Sequence, residues 1–305
     1  MNSFSRIIFL LVSTAFIFAS CKKDDDGSNP IPPRDRAVEA LEAKIEIEAF
    51  LQTHFYNYDE FQNPPAGFDY KIVFDTIAGD NAGKIPLIDM VESKQVFDRV
   101  EPDVIYTLYY LNAIQGEGES PIFADQTLAS YKGQFLNRNA FDASETPVKF
   151  DLTQVIPGFM EGMVELNAGT SYVENPDGTL TFNNFGVGAV FIPSGLGYWV
   201  NSPSGIPVYS QLIFTYRLYE VTKNVDHDDD GIPSFMEDLN NNGFLGDDDT
   251  DGDGIPNFLD SDDDGDGVLT RDEIIIHPDG TLEFPDSNGN GVPDYLDPTY
   301  PNPNN

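Results

Sequence analysis

Cysteine occurs once in this 305-residue chain, tryptophan once and histidine three times. A lone cysteine, Cys21, excludes an internal disulfide. The histidines, His54, His227 and His277, are scattered, and none falls in the central motifs described below. That distribution argues against acid–base or nucleophilic catalysis built on imidazole. Positive charge is scarce as well: 16 Lys and Arg stand against 52 Asp and Glu, a net charge of −36. Such a chain repels phosphate backbones, which excludes nucleic acid as a natural partner. It attracts hard cations instead. The apolar run Ile7 to Ala19 is shorter than the ~20 residues of a spanning helix.

That run follows Arg6 and ends on the small residues Ala19 and Ser20, so residues 1–20 read as an export signal. The FAS-Cys21 stretch resembles a bacterial lipobox, with Phe18 where leucine is usual. The resemblance implies that Cys21 is acylated and anchors the chain in a membrane. CKKDDD (21–26) resembles the surface-export tag of Bacteroidetes lipoproteins. Together they imply an outer-membrane lipoprotein, facing the periplasm or the cell surface. GSNPIPPRD completes a lipidated tether over 21–35.

Residues 36–102 read as an accessory segment. Asp35 can cap a helix from Arg36, with Leu41, Ile45, Ala49, Phe50 and Phe55 at helical spacing and an end near Tyr58. NPPAG (63–67) breaks it, and YKIVFDTI (70–77) alternates like a strand. No catalytic constellation occurs here. Packing or partner docking is the expected role.

From 103 to 223 the pattern is that of strands. VIYTLYYL (104–111), QTLASYKGQF (126–135), VKFDL (148–152), AVFIPSGLGYW (189–199) and SQLIFTYRLYEV (210–221) are rich in β-branched and aromatic residues. VIPGFMEGMVEL (155–166) predicts one short helix with Pro157 in its first turn. The fold class predicted is α+β, an antiparallel sheet with a short helix.

SYKG (130–133), FDAS (141–144), VIPGFMEGM (155–163), IPSGLGY (192–198), IP (206–207) and QLIFTYRL (211–218) stand in the order found in FKBP-type peptidyl-prolyl cis-trans isomerases. The region 103–223 therefore resembles that family. The resemblance implies an antiparallel sheet wrapped around a short helix, with an apolar pocket between them. It assigns to that pocket Tyr131, Phe141, Asp142, Phe150, Val155, Ile156, Phe159, Tyr198, Ile206 and Phe214. The N–H of Ile156 is expected to face the bound carbonyl, and Tyr198 to close the pocket. Phe159 stands where the family usually has tryptophan, and Val148 where an aromatic is common. Trp199 follows Tyr198 where glycine is usual and is expected to add aromatic surface at the rim. The segment 171–188 is longer than typical, which suggests a cover over the pocket or a partner contact.

Prolyl isomerisation suits such residues. The peptide bond resists rotation by about 18–20 kcal/mol, and X–Pro bonds exchange over tens to hundreds of seconds. The twisted amide is less dipolar than the planar one, so an apolar, water-poor site favours it, and no proton or cofactor is needed. The expected substrates are proline-containing exported proteins. FKBP-like domains also serve as binding modules. A non-catalytic, calcium-dependent chaperone, adhesion or gliding-motility protein is therefore the alternative.

Residues 224–305 hold 23 of the 52 acidic residues and a single basic one, Arg271. They read as oxygen-ligand loops with ligands at positions 1, 3, 5, 9 and 12 and glycine at 6, position nine being Ser234, Asn257, Thr270 and Asp294 in the four loops that follow. One loop is Asp226, Asp228, Asp230, Gly231 and Glu237; a second is Asp249, Asp251, Asp253, Gly254 and Asp260. A third is Asp262, Asp264, Asp266, Gly267 and Glu273; a fourth is Asp286, Asn288, Asn290, Gly291 and Asp297. A further register runs from Asp238 through Gly243 to Asp249. Ca²⁺ is the cation predicted, in a structural role. Pro233, Pro256 and Pro293 interrupt helix between loops, so the array resembles thrombospondin type 3 repeats. A rigid stalk or docking module is the expected form.

Overall fold

The computed structural model describes residues 33–300; the predicted export signal, Cys21 and most of the tether lie outside them. Asp35 caps helix α1 (Arg36–Thr53) through its side chain, which accepts a hydrogen bond from the Val38 N–H at 3.0 Å. The helix stops earlier than the apolar spacing suggests. His54 turns the chain into strand β1 (His54–Tyr56), followed by helix α2 (Tyr58–Gln62). Of residues 70–77 only β2 (Phe74–Thr76) is strand, paired antiparallel to β1.

Seven strands and one helix follow. They are β3 (Glu92–Phe97), β4 (Ile105–Ile114), β5 (Gln126–Phe135), β6 (Ala140–Asp151), helix α3 (Pro157–Met163), β7 (Ser171–Glu174), β8 (Leu180–Asn183) and β9 (Gly186–Ile192). After β10 (Leu212–Thr222) come the one-turn helix α4 (Thr270–Glu273) and the two-residue strands β11 (Ile275–Ile276) and β12 (Leu282–Glu283). The central sheet has six antiparallel strands in the order β3-β4-β9-β10-β5-β6. Its edge strand β3 comes from the segment read as accessory. The structure thus supports the α+β class, an antiparallel sheet with few helices.

Alternation along the strands sends side chains to opposite faces. Tyr106, Leu108, Val190, Ile192, Leu212, Phe214, Tyr216 and Leu218 face α3 and pack on Phe159, Met160 and Met163. Tyr109, Leu111, Val187, Ala189, Phe191 and Ile213 face the other way, against Ile47, Phe50 and Leu51 of α1 and Phe55, Tyr56 and Phe74 beyond it. β9 is buried throughout. The accessory segment therefore covers the sheet face opposite α3.

The face that α1 buries differs from the one predicted. Ala43, Ile47, Phe50 and Leu51 point inward, while Leu41 and Ile45 are 61% and 58% exposed. The helix is oriented by Glu39, a carboxylate only 1% exposed. Glu39 Oε1 accepts hydrogen bonds from the Ser194 hydroxyl (2.9 Å) and from Gln211 Nε2 (3.3 Å), and Oε2 pairs with Arg34 at 2.7 Å. Ser194 opens the turn that carries Tyr198. This pairing of polar groups outranks the apolar pattern, because a buried carboxylate must be satisfied wherever the helix docks.

The segment 171–188 folds on itself. β7 and β8 form a hairpin closed by Asn175 N–H to the Thr179 carbonyl at 2.8 Å, and Phe182 stacks on Tyr219 at 4.2 Å. The expected cover over the pocket is not found. Self-pairing satisfies the hairpin's backbone without it.

Glu39→Ala is expected to lower unfolding stability by about 1–3 kcal/mol, since it strands the Ser194 and Gln211 donors. Glu39→Gln should retain more of it. Urea titration of the three proteins measures the difference.

Candidate functional site

Phe159 is the hub of the aromatic cluster. Pro157 starts α3 and points Phe159 at the sheet, where it is 3% exposed. Its ring lies 5.1 Å from Phe150, 5.2 Å from Phe214 and 5.9 Å from Tyr216, centroid to centroid. Tyr131 stands edge-on to Phe150 at 5.3 Å, and Phe141 edge-on to Phe214 at 5.5 Å. Gly133 makes this approach possible: a Cβ there would stand 2.6 Å from the Phe141 ring and 2.9 Å from Phe214. Val155, Ile156, Tyr198 and Ile206 pack partly buried against the same cluster.

The structure thus brings the ten predicted pocket residues into one region. Four of them, Phe141, Asp142, Tyr198 and Ile206, line an open hollow of about 340 Å³. Phe135, Ala140 and the turn Pro203–Gly205 complete its wall. Phe135 lies outside the family motifs. Its place at the end of β5, two residues after Gly133 on the same face, is the signal that could have found it. The Tyr131 hydroxyl donates to Asp142 Oδ2 at 2.6 Å, tying β5 to β6 at the mouth. Burial first, then the Asp142 carboxylate, push the Tyr131 phenol up to about 12. Ile156 sits at the N-cap of α3; among the described residues its N–H donates to no acceptor, while its carbonyl takes the Phe159 N–H at 3.0 Å.

Trp199 does not reach this hollow. It is held at φ +51° with its ring against Tyr209 at 4.9 Å and beneath the Arg36 guanidinium at 4.6 Å. A cation–π contact with the N-terminal helix turns it away from the rim. Val148 lies on β6 opposite Ala129, outside the ring cluster.

In the acidic region the counted registers are visible as geometry. In each of the five, the first carboxylate accepts the N–H of the sixth residue. Asp226 takes Gly231, Asp238 takes Gly243, Asp249 takes Gly254, Asp262 takes Gly267 and Asp286 takes Gly291, all between 2.8 and 3.1 Å. Every one of those glycines has φ between +76° and +104°, which explains the residue type at that position. Positions three and five each spend one oxygen on a backbone N–H two residues on, as Asp228 does on Asp230 and Asp230 on Ile232.

The remaining oxygens are the notable ones. One oxygen each of Asp228, Asp230, Asp262, Asp264 and Asp266, and both of Glu237 and Glu273, are buried without a protein donor. Three carboxylate clusters have their oxygens within 4.8 Å of one another: Asp228, Asp230 and Glu237 together with Asp263; Asp249, Asp251 and Asp253; Asp262, Asp264 and Asp266. Asp226 lies outside the first cluster; its two oxygens hold the backbone of Asp229 and Gly231. Asp260 accepts the Asp262 N–H and joins no cluster. In the fourth loop Asp297 is occupied by Asn288, Asn290 and Thr299, so its amides close it without a cluster. Burial first, then neighbouring carboxylates, push Glu237 up to about 10, Asp263 to about 9 and Glu273 to about 8.

The array also leans on the sheet domain. His227 Nε2 pairs with Asp151 Oδ2 at 3.0 Å, Arg99 covers Phe244, and Leu245 and Phe258 pack on Ala124 and Phe123. Over residues 224–259 it is docked rather than projecting as a free stalk.

Comparison with known proteins places these two regions separately. Residues 119–219 match the model of FKBP-type peptidyl-prolyl cis-trans isomerases, and residues 227–285 match a model described as BamM C-terminal. The chain is 32% identical over 117 residues to the FKBP-type peptidyl-prolyl cis-trans isomerase FkpA of Escherichia coli K12, covering 37% of each chain. It is 36% identical over 94 residues to the probable FkpA of Neisseria meningitidis serogroup B, covering 30% of this chain and 29% of that one. It is 30% identical over 112 residues to the outer membrane protein MIP of Legionella longbeachae, covering 35% and 41%. The chain thus spans about 37% of the length of the first of these relatives. Within that span it carries an FKBP-type isomerase domain.

A carboxyl whose folded pKa is raised stabilises the fold while protonated and loses that contribution as pH rises through the folded value. For Glu237 the window runs from its ordinary 4.5 to about 10. In chelator, the array should therefore loosen as pH rises from about 4.5 through neutrality. Calcium should suppress that loosening. Urea titrations at pH 5 and pH 8, with chelator and with calcium, measure both.

Proposed function

We propose that this chain is an FKBP-type peptidyl-prolyl cis-trans isomerase acting on exported proteins. Its isomerase domain spans residues 103–223, preceded by the covering segment 36–102 and followed by a calcium-bound array over 224–305. The observation that carries the reading is the convergence of the family's motif residues on one ring-lined hollow. It is supported by the family match over residues 119–219.

The chemistry follows from the lining. An X–Pro segment entering between Tyr198, Ile206 and Phe141 exchanges water for aromatic surface. The planar amide, with its larger dipole, loses more solvation there than the twisted one, so the barrier falls. The Ile156 N–H is placed at the helix start to receive the substrate carbonyl. Asp142 holds Tyr131 and supplies the one charge at the mouth. No side chain has to exchange a proton.

The acidic array fits a hard, oxygen-ligated cation. Its buried carboxylate oxygens lack donors, and burying such charges unpaired is costly. Asp228, Asp230 and Glu237, then Asp249, Asp251 and Asp253, then Asp262, Asp264, Asp266 and Glu273 would hold the ions. Calcium supplies the positive charge that makes their ionised, buried state stable. Anchorage through an acylated Cys21 at the outer membrane is the localisation we assign. It agrees with the name of the Legionella relative, an outer membrane protein. Among the described residues no helix is long and apolar enough to cross a membrane.

Catalysed cis–trans exchange of a short X–Pro peptide by the chain from residue 22 onward is the expected result. Asp142→Ala and Tyr198→Ala should each lower kcat/KM by roughly tenfold, equivalent to about 1.4 kcal/mol. Exchange at the uncatalysed rate, with calcium-dependent partner binding intact, would instead establish a binding module.

A further inference from the structure

Asp263 is the second residue of the third loop, a position that carries no ligand in the counted register. In the first, second and fourth loops the same position is His227, Thr250 or Ser287. These residues share one backbone role. The N–H of position two donates to the side chain of position nine, as Asp263 does to the Thr270 hydroxyl at 3.1 Å and Thr250 to Asn257 at 2.9 Å. Among these four residues only Asp263 carries a carboxylate.

The Asp263 carboxylate meets no donor on either oxygen, and the residue is 2% exposed. It is aimed at the first loop. One of its oxygens lies within 4.8 Å of oxygens from Asp228, Asp230 and Glu237. Glu237 is 1% exposed and likewise has neither oxygen paired. In the first loop Asp226, whose oxygens hold the N–H groups of Asp229 and Gly231, is not among the clustered carboxylates, and Asp263 stands with them instead. The second and third loops build their clusters from their own residues. A second tie joins the first and third loops: Arg271 donates to the Asp229 carbonyl at 2.6 Å. Beneath them Ile232 and Ile274, one from each side of the tie, pack with Tyr295.

We infer that Asp263 completes a divalent-cation site with Asp228, Asp230 and Glu237, so that one calcium ion staples the first loop to the third. The inference rests on the proposed calcium reading of the array. The staple closes the segment 238–262 into a ring, an ordering that the array's small apolar clusters do not supply alone. It also lies next to the joint with the isomerase domain, since His227 of the same loop holds Asp151.

Calcium counts by native mass spectrometry and calorimetry on the chain from residue 22 onward test it. Asp263→Asn is expected to remove one ion, or weaken one step roughly tenfold through the lost ligand charge. Glu237→Gln should remove the same ion, and the double variant should lose no more than either. Asp253→Asn, in the second loop, should remove a different one. An unchanged count and affinity in Asp263→Asn, or two ions lost in the double variant, would overturn the inference while leaving the calcium array standing. Wild-type protein that binds no calcium would overturn both. Should Asp263→Asn fail to fold, hydrogen exchange of the wild type across a calcium titration tests the same point independently. Residues 228–237 and 262–264 should gain protection at one calcium concentration, and separate midpoints would refute the shared ion.

Discussion

Burial of both faces of β9 and β10 is the constraint on which the rest of this molecule depends. Over Gly186–Ile192 and Leu212–Tyr216 neither strand has a solvent side to relax toward, so what is attached there is positioned by packing on two fronts. On one face Phe159 presses against Phe214 and Tyr216 and creates the ring cluster behind the hollow. On the other, α1 and the segment after it seal Phe191 and Ile213. The N-terminal segment is therefore part of what holds the site. Glu39 makes this concrete, because it reaches from α1 to Ser194, at the start of the turn that delivers Tyr198.

The two halves of the chain solve opposite problems of solvation. The hollow gathers apolar surface around a single carboxylate, Asp142, which suits a reaction whose transition state is less dipolar than its ground state. The array gathers charge, and in its first and third loops buries it, which suits nothing without a cation. In the first loop, Asp228 and Asp230 each spend one carboxylate oxygen on folding the backbone and leave the other for a ligand. The same side chains thus fold the loop and concentrate the negative charge that a cation would offset. His227 joins the halves by meeting Asp151, whose other oxygen caps the turn leading to Val155 and Ile156.

Much of the site is legible in sequence because its information is local. Spacing fixes which strand residues share a face, and the motif order places Tyr131, Phe141 and Phe159 on neighbouring elements. For Phe135 the sequence gives only its face, two residues after Gly133. It joins the wall only because β5 pairs with both β6 and β10, a long-range fact. Trp199 misleads for a related reason: its neighbour in sequence lines the hollow, but Arg36, far along the chain, captures its ring. The apolar stripe of α1 is ambiguous because Leu41 and Ile45 satisfy helical spacing as well as Ala43 and Ile47 do. Only the buried contacts of Glu39 choose between the two rotations.

By itself the sequence determined the loop registers, the glycines that must take positive φ and the alternation of the central strands. Each follows from covalent geometry or from a period of a few residues. Tertiary structure alone decided which face of α1 is buried, that the 171–188 segment pairs with itself, and that Asp263 turns toward a loop other than its own. Those outcomes depend on which distant groups leave a buried donor or acceptor unpaired. No local pattern encodes that, because the partner is chosen by the fold.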